Sequence, residues 1–335
     1  MSQFVGSTDF DHKQGVKTGI LIANLGTPDA PTSSALRRYL AEFLWDSRVI
    51  EIPRLPWWCI LHGIILRTRP ARSAKLYQKV WTDKGSPLLE ISRKQTQQIQ
   101  LALGTDTPVV LGMRYGNPSI RSALDELRKQ QVNRLIVMPM YPQYSGSTTG
   151  STFDAVADAL KTWRWVPELH FINAYHDSPA YIAALCASIG DHIERYGMPQ
   201  KWIFSYHGTP KSYLMKGDPY YCFCMKTTRL VAEKMGWSEE QYMATFQSRF
   251  GKAEWLKPYT DVTLEHLPEQ GVKSVAVLCP GFSADCLETI DEIGRENREV
   301  FMEAGGETYH YVPALNDDEA HIRALVQLLE PYVPE

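Results

Sequence analysis

Residues Trp202–Tyr221 read WIFSYHGTPKSYLMKGDPYY, and this segment sets the expected architecture. It opens with an apolar and aromatic run typical of a buried strand, which breaks at His207-Gly208-Thr209-Pro210. The imidazole therefore lies where a strand becomes a loop, the edge at which open α/β sheets bind ligands. There, His207 can take up a proton or bind a metal near neutral pH. A hydrogen-bonded structural role for His207 is the alternative that this position leaves open.

Three strand endings in the N-terminal half recur in the same order in the C-terminal half. The pairs are Gly26-Thr27-Pro28 with Gly208-Thr209-Pro210, Arg114-Tyr115-Gly116 with Arg249-Phe250-Gly251, and Pro139 with Pro280. Repetition of this kind indicates a duplicated supersecondary unit. We therefore expect an α/β fold of two similar Rossmann-like lobes, each a parallel sheet flanked by helices, with a cleft between them. Such a cleft is the expected site.

The domain boundaries follow from these landmarks. We expect a loose N-terminal tail at 1–17, an N-terminal lobe at 18–175 and a C-terminal lobe at 176–312. The first lobe carries an apolar insertion, the lip, at about 43–90. In the segment 313–335, the spacing predicts a helix over Glu319–Leu329, which we expect to pack back across the lobes.

Helical spacing of apolar residues appears between the predicted strands and reflects core packing. Ser33-Ser34 marks the start of one helix. The further predicted helices are Ser119–Gln131, Phe153–Thr162, Ala180–Tyr196, Met225–Met235 and Trp255–Leu267.

Composition excludes several classes of protein. A chain of 335 residues with 44% hydrophobic residues and a net charge of -3 is globular, and it offers no basic footprint for nucleic acid. The N-terminus lacks the apolar core of a signal peptide, so we expect a cytoplasmic protein with reduced cysteines. The most apolar run, Trp57–Leu66, has ten residues, whereas spanning a bilayer takes about 20. It can contact a membrane surface or line an apolar pocket.

Four acidic residues follow the strand that ends at Pro280. Asp285, Glu288, Glu292 and Glu296 are spaced by 3, 4 and 4 residues, which places their carboxylates on one helical face. A solvated acidic face is the simpler interpretation. The position of the row just after a strand favours a site that also includes His207.

The motif His207-Gly208-Thr209-Pro210, followed by Gly217-Asp218-Pro219-Tyr220, resembles the signature of ferrochelatases. The resemblance extends from about Thr18 to Ala314. It implies insertion of Fe2+ into protoporphyrin, the last step of haem synthesis, with porphyrin and ferrous iron as substrates and no tightly bound cofactor. The entering ion displaces two N–H protons, which need an acceptor.

The same resemblance assigns roles within the second lobe. It implies that His207 and Glu288 are catalytic and bind the metal, and that Asp285 and Glu292 relay metal or protons. It also implies a local π-helical widening, which is common at functional sites. Cys286 stands where many members have His. Whether the outer row handles metal, protons or both therefore stays open.

A flat apolar substrate with acidic propionates needs aromatic walls and polar rim groups. By resemblance, the porphyrin-binding residues are Arg114, Tyr115, Tyr77, Ser86, Ile50 and Tyr144. We assign Tyr144 to a pocket loop of the first lobe, Tyr141–Gly150. Two alternatives stay open: Arg114 pairs with a local carboxylate, and Trp57 and Trp58 belong to the core.

Cysteine positions bear on an iron-sulfur cluster. Gly146 stands where animal members carry a mid-chain ligand, and no Cys follows Cys286, so a cluster of that type is not expected. The pair Cys222-Phe223-Cys224 is a weak metal signal that keeps another kind of cluster open. Other open readings are a chelatase for Co2+ or Ni2+, a tetrapyrrole carrier without catalysis, and coproporphyrin as the substrate.

Overall fold

The computed structural model describes residues 4–6, 11–251 and 253–333. It divides into two compact units. Unit 1 comprises Met1–Met140, Gly146–Asn173 and Leu325–Glu335, and unit 2 comprises Tyr141–Ser145 and Ala174–Ala324. Residues 1–3 and 7–10 of the predicted tail lie outside the described residues. Within 11–17, backbone and side-chain atoms hydrogen-bond to Gln131 and Asn133.

Unit 1 is built on a four-stranded parallel sheet with the strand order β2-β1-β3-β4. The strands are β1 Thr18–Thr27, β2 Val109–Gly116, β3 Arg134–Pro139 and β4 Glu168–Phe171. The central strand β1 is buried along nearly its whole length, because helices cover both faces of a parallel sheet. Burial of its isoleucine and leucine side chains contributes roughly 1.5–3 kcal/mol each.

The α-helices that accompany this sheet include α1 Ser33–Trp45, α2 Arg54–Ile60, α3 Leu66–Val80, α4 Pro87–Leu103, α5 Ile120–Lys129 and α6 Ser151–Leu160. Two π-helices, Leu61–Ile65 and Gly146–Gly150, join α2 to α3 and precede α6. The lip folds as α2, its π-helix and α3, and its buried residues Trp57 and Leu61 pack against α1. Trp57 is therefore core, whereas Trp58 is half exposed.

Unit 2 repeats the same sheet, with the strand order β6-β5-β7-β8. Its strands are β5 Lys201–His207, β6 Tyr242–Gln247, β7 Ser274–Leu278 and β8 Thr308–Val312. Its helices are α7 Pro179–Tyr196, α8 Lys211–Met215, α9 Tyr220–Met235, α10 Thr260–His266 and α11 Asn297–Glu303, with a π-helix at Glu288–Glu296. After β8 come α12, Glu319–Leu329, and a short 3-10 helix, Glu330–Tyr332. The predicted α/β fold with two parallel sheets is confirmed.

The repeated motifs do not all occupy equivalent positions. In the sheet of unit 1, Gly26 pairs with Tyr115. In the sheet of unit 2, His207 pairs with Gln247, so the next residue on each strand, Gly208 and Ser248, would be the corresponding pair. If Gly26 and Gly208 are equivalent, Arg114 corresponds to Gln247 and not to Arg249. The Arg-aromatic-Gly match is thus displaced by two residues, and Arg249 lies beyond the end of β6.

Strand order identifies where each unit can bind a ligand. In unit 2 the chain leaves β5 toward β6 and leaves β7 toward β8, so adjacent strands send their connections in opposite directions. Ligands of open α/β sheets bind at such switch points. His207 ends β5, and the π-helix Glu288–Glu296 follows β7. Both segments therefore begin at the switch point between β5 and β7 of the unit 2 sheet.

Two features differ from the sequence predictions. The helix predicted over Trp255–Leu267 begins only at Thr260, because Leu256 and Pro258 bond instead to Thr209 and Phe246. Tyr141–Ser145 is grouped with unit 2 and not with the first lobe. Gln143 donates to Thr227, and Ser145 donates to Asp218. No helix of the described residues combines the length and apolarity needed to cross a membrane.

Candidate functional site

The imidazole of His207 is held in one tautomer. Its Nδ1 lies 2.7 Å from the carbonyl oxygen of Gly208. Because a carbonyl oxygen only accepts, Nδ1 carries the proton in the neutral ring. Nε2 then keeps its lone pair, and the half-buried side chain can use that nitrogen to accept a proton or bind a metal.

The residues after β6 hold the carboxylate of Glu292. The backbone N–H of Ser248 donates to this carboxylate at 2.8 Å, and the Ser248 hydroxyl donates to it as well. Ser248 has a φ of 64°, a left-handed conformation that costs a non-glycine residue free energy. Gln247, which is buried beside His207 in the sheet, donates from Nε2 to the Glu288 carbonyl at 3.2 Å.

The environment of Glu292 changes its protonation. Burial raises the pKa of Glu292 above its ordinary value of 4.5, and the nearby Glu288 carboxylate also raises it. Hydrogen bonds from Ser248 and the charge of His207 act against this shift without cancelling it. His207, Glu288 and Glu292 thus share one electrostatic environment, and Glu292 binds a proton more readily than an exposed Glu does.

The π-helix divides the predicted acidic row. Glu288 and Glu292 are half-buried at one side of the helix. Glu296 is exposed and accepts from Arg295 at 2.8 Å. Asp291, which is buried, also accepts from Arg295. Glu288 and Glu292 are thus partly exposed, and Glu292 interacts electrostatically with both His207 and Glu288.

Asp285 precedes the π-helix and has its oxygens occupied. Tyr311, Thr289, the backbone N–H of Ala314 and the side-chain amide of Asn316 all donate to it. Its side chain is 7% exposed. In this geometry, Asp285 anchors the start of the helix.

In unit 1, Arg114 and Tyr115 form a buried cluster with Asp46. Arg114 pairs with the Asp46 carboxylate and donates to Ser151 Oγ at 2.6 Å, and the Tyr115 hydroxyl donates to Asp46 at 2.9 Å. Burial works to raise the pKa of Asp46, but the bond from Ser151, the charge of Arg114 and the bond from Tyr115 together hold it below the ordinary value. Arg114 therefore pairs with a local carboxylate, one of the two readings of the sequence.

The other predicted porphyrin-binding residues occupy varied positions. Ser86 is buried at the start of α4 and accepts from Thr27 Oγ1 at 2.9 Å. Ile50 and Tyr77 pack against the cluster formed by α1, α2 and α3. Tyr144 is half-buried in unit 2.

Comparison with known proteins extends this picture. The family described as Ferrochelatase matches residues 17–332. The chain belongs to the ferrochelatase family. "Ferrochelatase 2" of Shewanella oneidensis is 58% identical over 96% of this chain and 99% of its own length. "Ferrochelatase" of Marinobacter nauticus is 56% identical, covering 97% of this chain and 89% of its own length.

Solved structures of other chelatases share the fold. SirB from Bacillus subtilis, in a structure with Fe3+, has a TM-score of 0.56 at 11% identity and covers 94% of this chain and 95% of its own. CbiX, described as the terminal enzyme of sirohaem biosynthesis in denitrifying bacteria, has a TM-score of 0.52 at 12% identity, over 95% and 100% of the two chains. At such identities, the likeness concerns the fold alone.

Sequence reasoning missed four residues that hold the candidate site residues in place. Gln247 and Ser248 hold the π-helix, and Asp46 and Ser151 hold Arg114. The polar pair Gln247-Ser248, at the end of β6 and just after it, was a usable signal, because it follows the buried residues Thr245 and Phe246. Asp46 gave none. Across the part of the chain that the structure describes, no three His, Cys, Asp or Glu side chains converge tightly enough to hold a metal ion.

Proposed function

We propose that this member of the ferrochelatase family inserts Fe2+ into protoporphyrin IX, forming protohaem and releasing two protons. The observation that carries the proposal is the fixed tautomer of His207, which leaves Nε2 as an acceptor, and His207 also interacts electrostatically with Glu292. A porphyrin gives up two N–H protons as Fe2+ enters, so a neutral imidazole is a suited first acceptor.

The acidic side chains complete the chemistry. We assign His207 and Glu288 to catalysis and to transient binding of Fe2+, since imidazole and carboxylate bind this ion weakly enough to release it. Glu292 takes the proton onward, because its raised pKa lets it hold a proton and the exposed Glu296 lies one turn further along the π-helix. Arg114, Tyr115, Tyr77, Ser86, Ile50 and Tyr144 are the proposed contacts of the porphyrin. The proposal includes no tightly bound cofactor.

The test is an anaerobic assay with Fe2+ and protoporphyrin IX that follows the loss of porphyrin fluorescence and the growth of haem absorbance. We expect turnover by the parent protein and its loss in Glu288→Gln. Coproporphyrin, Co2+ and Ni2+ form parallel arms, and faster turnover in one of these would replace the proposed substrate or metal. Binding of porphyrin without turnover in any arm would indicate a carrier.

We further propose that the lip contacts an anionic membrane surface. Leu55, Trp58 and Ile64 are 77%, 52% and 60% exposed, and Arg67 and Arg72 are exposed on the following helix α3. Aromatic and aliphatic side chains beside arginines are the composition of interfacial helices.

Vesicle co-sedimentation tests the membrane contact. We expect binding to vesicles that contain phosphatidylserine, weaker binding to phosphatidylcholine alone, and loss of binding in the double variant Leu55→Ser, Trp58→Ser. Leu101→Ser is the matched control, since Leu101 is 74% exposed on α4. A second copy of the chain on this surface would instead appear as a dimer in light scattering, dissociated by the double variant.

A further inference from the structure

The π-helix Glu288–Glu296 is nine residues long, whereas π-helices mostly occur as single turns within α-helices. So long a stretch of unfavourable hydrogen-bond geometry needs stabilisation from outside the helix. Side chains donate to three of its backbone carbonyls, those of Glu288, Glu292 and Ile293.

The shortest of these three hydrogen bonds comes from a residue of β8. The hydroxyl of Tyr309 donates to the Ile293 carbonyl at 2.7 Å, and the Tyr309 side chain is 7% exposed. Asn297, at the end of the helix, donates to the Glu292 carbonyl at 2.9 Å. The Tyr309 bond is buried, so loss of its hydroxyl leaves a buried carbonyl unsatisfied, whereas the Asn297 bond is partly buried.

A second tyrosine of β8 contacts the same helix. Tyr309 and Tyr311 are two residues apart and therefore point to one face of the sheet. The ring of Tyr311 lies 3.6 Å from where a Cβ on Gly294 would sit, so it packs closely on the helix backbone. Its hydroxyl donates to Asp285, which Asn316 also binds at 2.7 Å. Tyr311 thus contacts the middle of the π-helix and the segment that leads into it.

We propose that Tyr309 and Tyr311 are positioning residues that hold the π-helical register and so fix how Glu288 and Glu292 are placed. In an α-helix, the Ile293 carbonyl would accept from the backbone N–H one residue earlier than the N–H that π-helical geometry pairs with it. Glu292 would then rotate about the helix axis relative to Glu288. Asp285 serves the same purpose as an anchor. The kinetic consequence rests on the proposed function, whereas the structural one does not.

The test replaces Tyr309 by Phe, which removes only the hydroxyl. We expect amide hydrogen exchange over 288–296 to become about tenfold faster. In the anaerobic assay we expect kcat to fall about tenfold and the KM for Fe2+ to rise. We expect the KM for porphyrin to stay unchanged. General destabilisation of the protein would not raise the KM for Fe2+ while leaving the KM for porphyrin unaffected.

Two controls accompany this variant. Tyr196→Phe makes the same chemical change at an exposed tyrosine of α7, and Val231→Ala opens a cavity in α9. Neither should alter the exchange over 288–296 or the KM for Fe2+. If Tyr309→Phe does not fold, Tyr311→Phe repeats the test with its ring packing retained.

The outcomes separate the two proposals. Unchanged exchange over 288–296 overturns the positioning role, and so does faster exchange with parental kinetic constants. A parent protein that does not insert Fe2+ overturns the proposed function, and the exchange measurement alone then decides whether the tyrosines hold the helix.

Discussion

The two sheets have the same strand order, yet the segments at their carboxyl ends differ in chemistry. β1 has Leu25 before Gly26-Thr27-Pro28, where β5 has His207 before Gly208-Thr209-Pro210. A π-helix follows the third strand in both units: Gly146–Gly150 without an ionisable side chain, and Glu288–Glu296 with four carboxylates. The repeated sheet therefore supplies two comparable edges, and the residues that we propose for catalysis lie at the edge of unit 2.

Two partly buried carboxylates, one in each unit, show the same contrast. Asp46 of unit 1 has a cation and two hydroxyl groups on it, and its pKa lies below the ordinary value. Glu292 of unit 2 accepts from the hydroxyl and the backbone amide of Ser248, and burial raises its pKa. A carboxylate that stays ionised is suited to holding structure, whereas one that gains and loses a proton is suited to chemistry.

The largest expected effect comes from erasing the difference between the two strand endings. His207→Leu gives β5 the residue that β1 carries at this position. We expect kcat for Fe2+ insertion to fall by a factor of about 10²–10⁴, because the reaction loses its first proton acceptor. Stopped-flow or steady-state haem absorbance measures this change, and circular dichroism checks that the fold is retained.

Leu25→Met is the matched change in unit 1. The kcat of this variant for Fe2+ insertion should stay within about threefold of that of the parent, because volume-conserving apolar substitutions are well tolerated. Equal losses in the two variants would mean that His207 acts through packing. The functional difference between the strand endings would then disappear.

The second-largest expected effect concerns Arg114 and Arg249, the arginines of the Arg-aromatic-Gly motif in the two halves of the chain. Arg114→Ala leaves the Asp46 carboxylate, whose side chain is 6% exposed, without its cation. We expect a loss of about 3 kcal/mol in the free energy of unfolding, as for other broken buried ion pairs. Arg249→Ala removes a bond to Asp261 between side chains that are 42% and 50% exposed, so it should cost less than about 1 kcal/mol. Urea unfolding of both variants measures the difference; equal costs would show that the Arg114–Asp46 pair stabilises the fold no more than an exposed ion pair does.

Sequence reasoning points to the proposed catalytic edge more readily than to the cluster of Asp46 and Arg114. His207 is visible because a strand, a histidine and a Gly-Thr-Pro turn are contiguous. Asp46 and Arg114 are separated by 68 residues, and no local pattern links an aspartate after one helix to an arginine within a strand. The displaced register escaped notice for a related reason: strand pairing depends on backbone geometry, which a motif alignment does not contain.

The smallest effect tests where acid sensitivity resides. His321 of α12 is fully buried in unit 2, and burial lowers its pKa to about 4, although its bond to the Asn316 carbonyl opposes this shift. His62 of the lip in unit 1 is exposed. Acid should therefore lower the free energy of unfolding through the buried His321 and not through the exposed His62.

The sign follows from proton binding. The unfolded chain binds a proton at His321 below its ordinary pKa of 6.5, whereas the folded chain resists it down to about 4. The free energy of unfolding therefore falls as the pH drops from 6.5 toward 4, by about 2–3 kcal/mol from this residue. His321→Phe should remove that part of the pH dependence, and His62→Gln should leave it unchanged. Urea unfolding at pH 7 and pH 5 measures both; parallel pH dependence of the parent and His321→Phe would show that other buried groups of unit 2 carry the acid sensitivity.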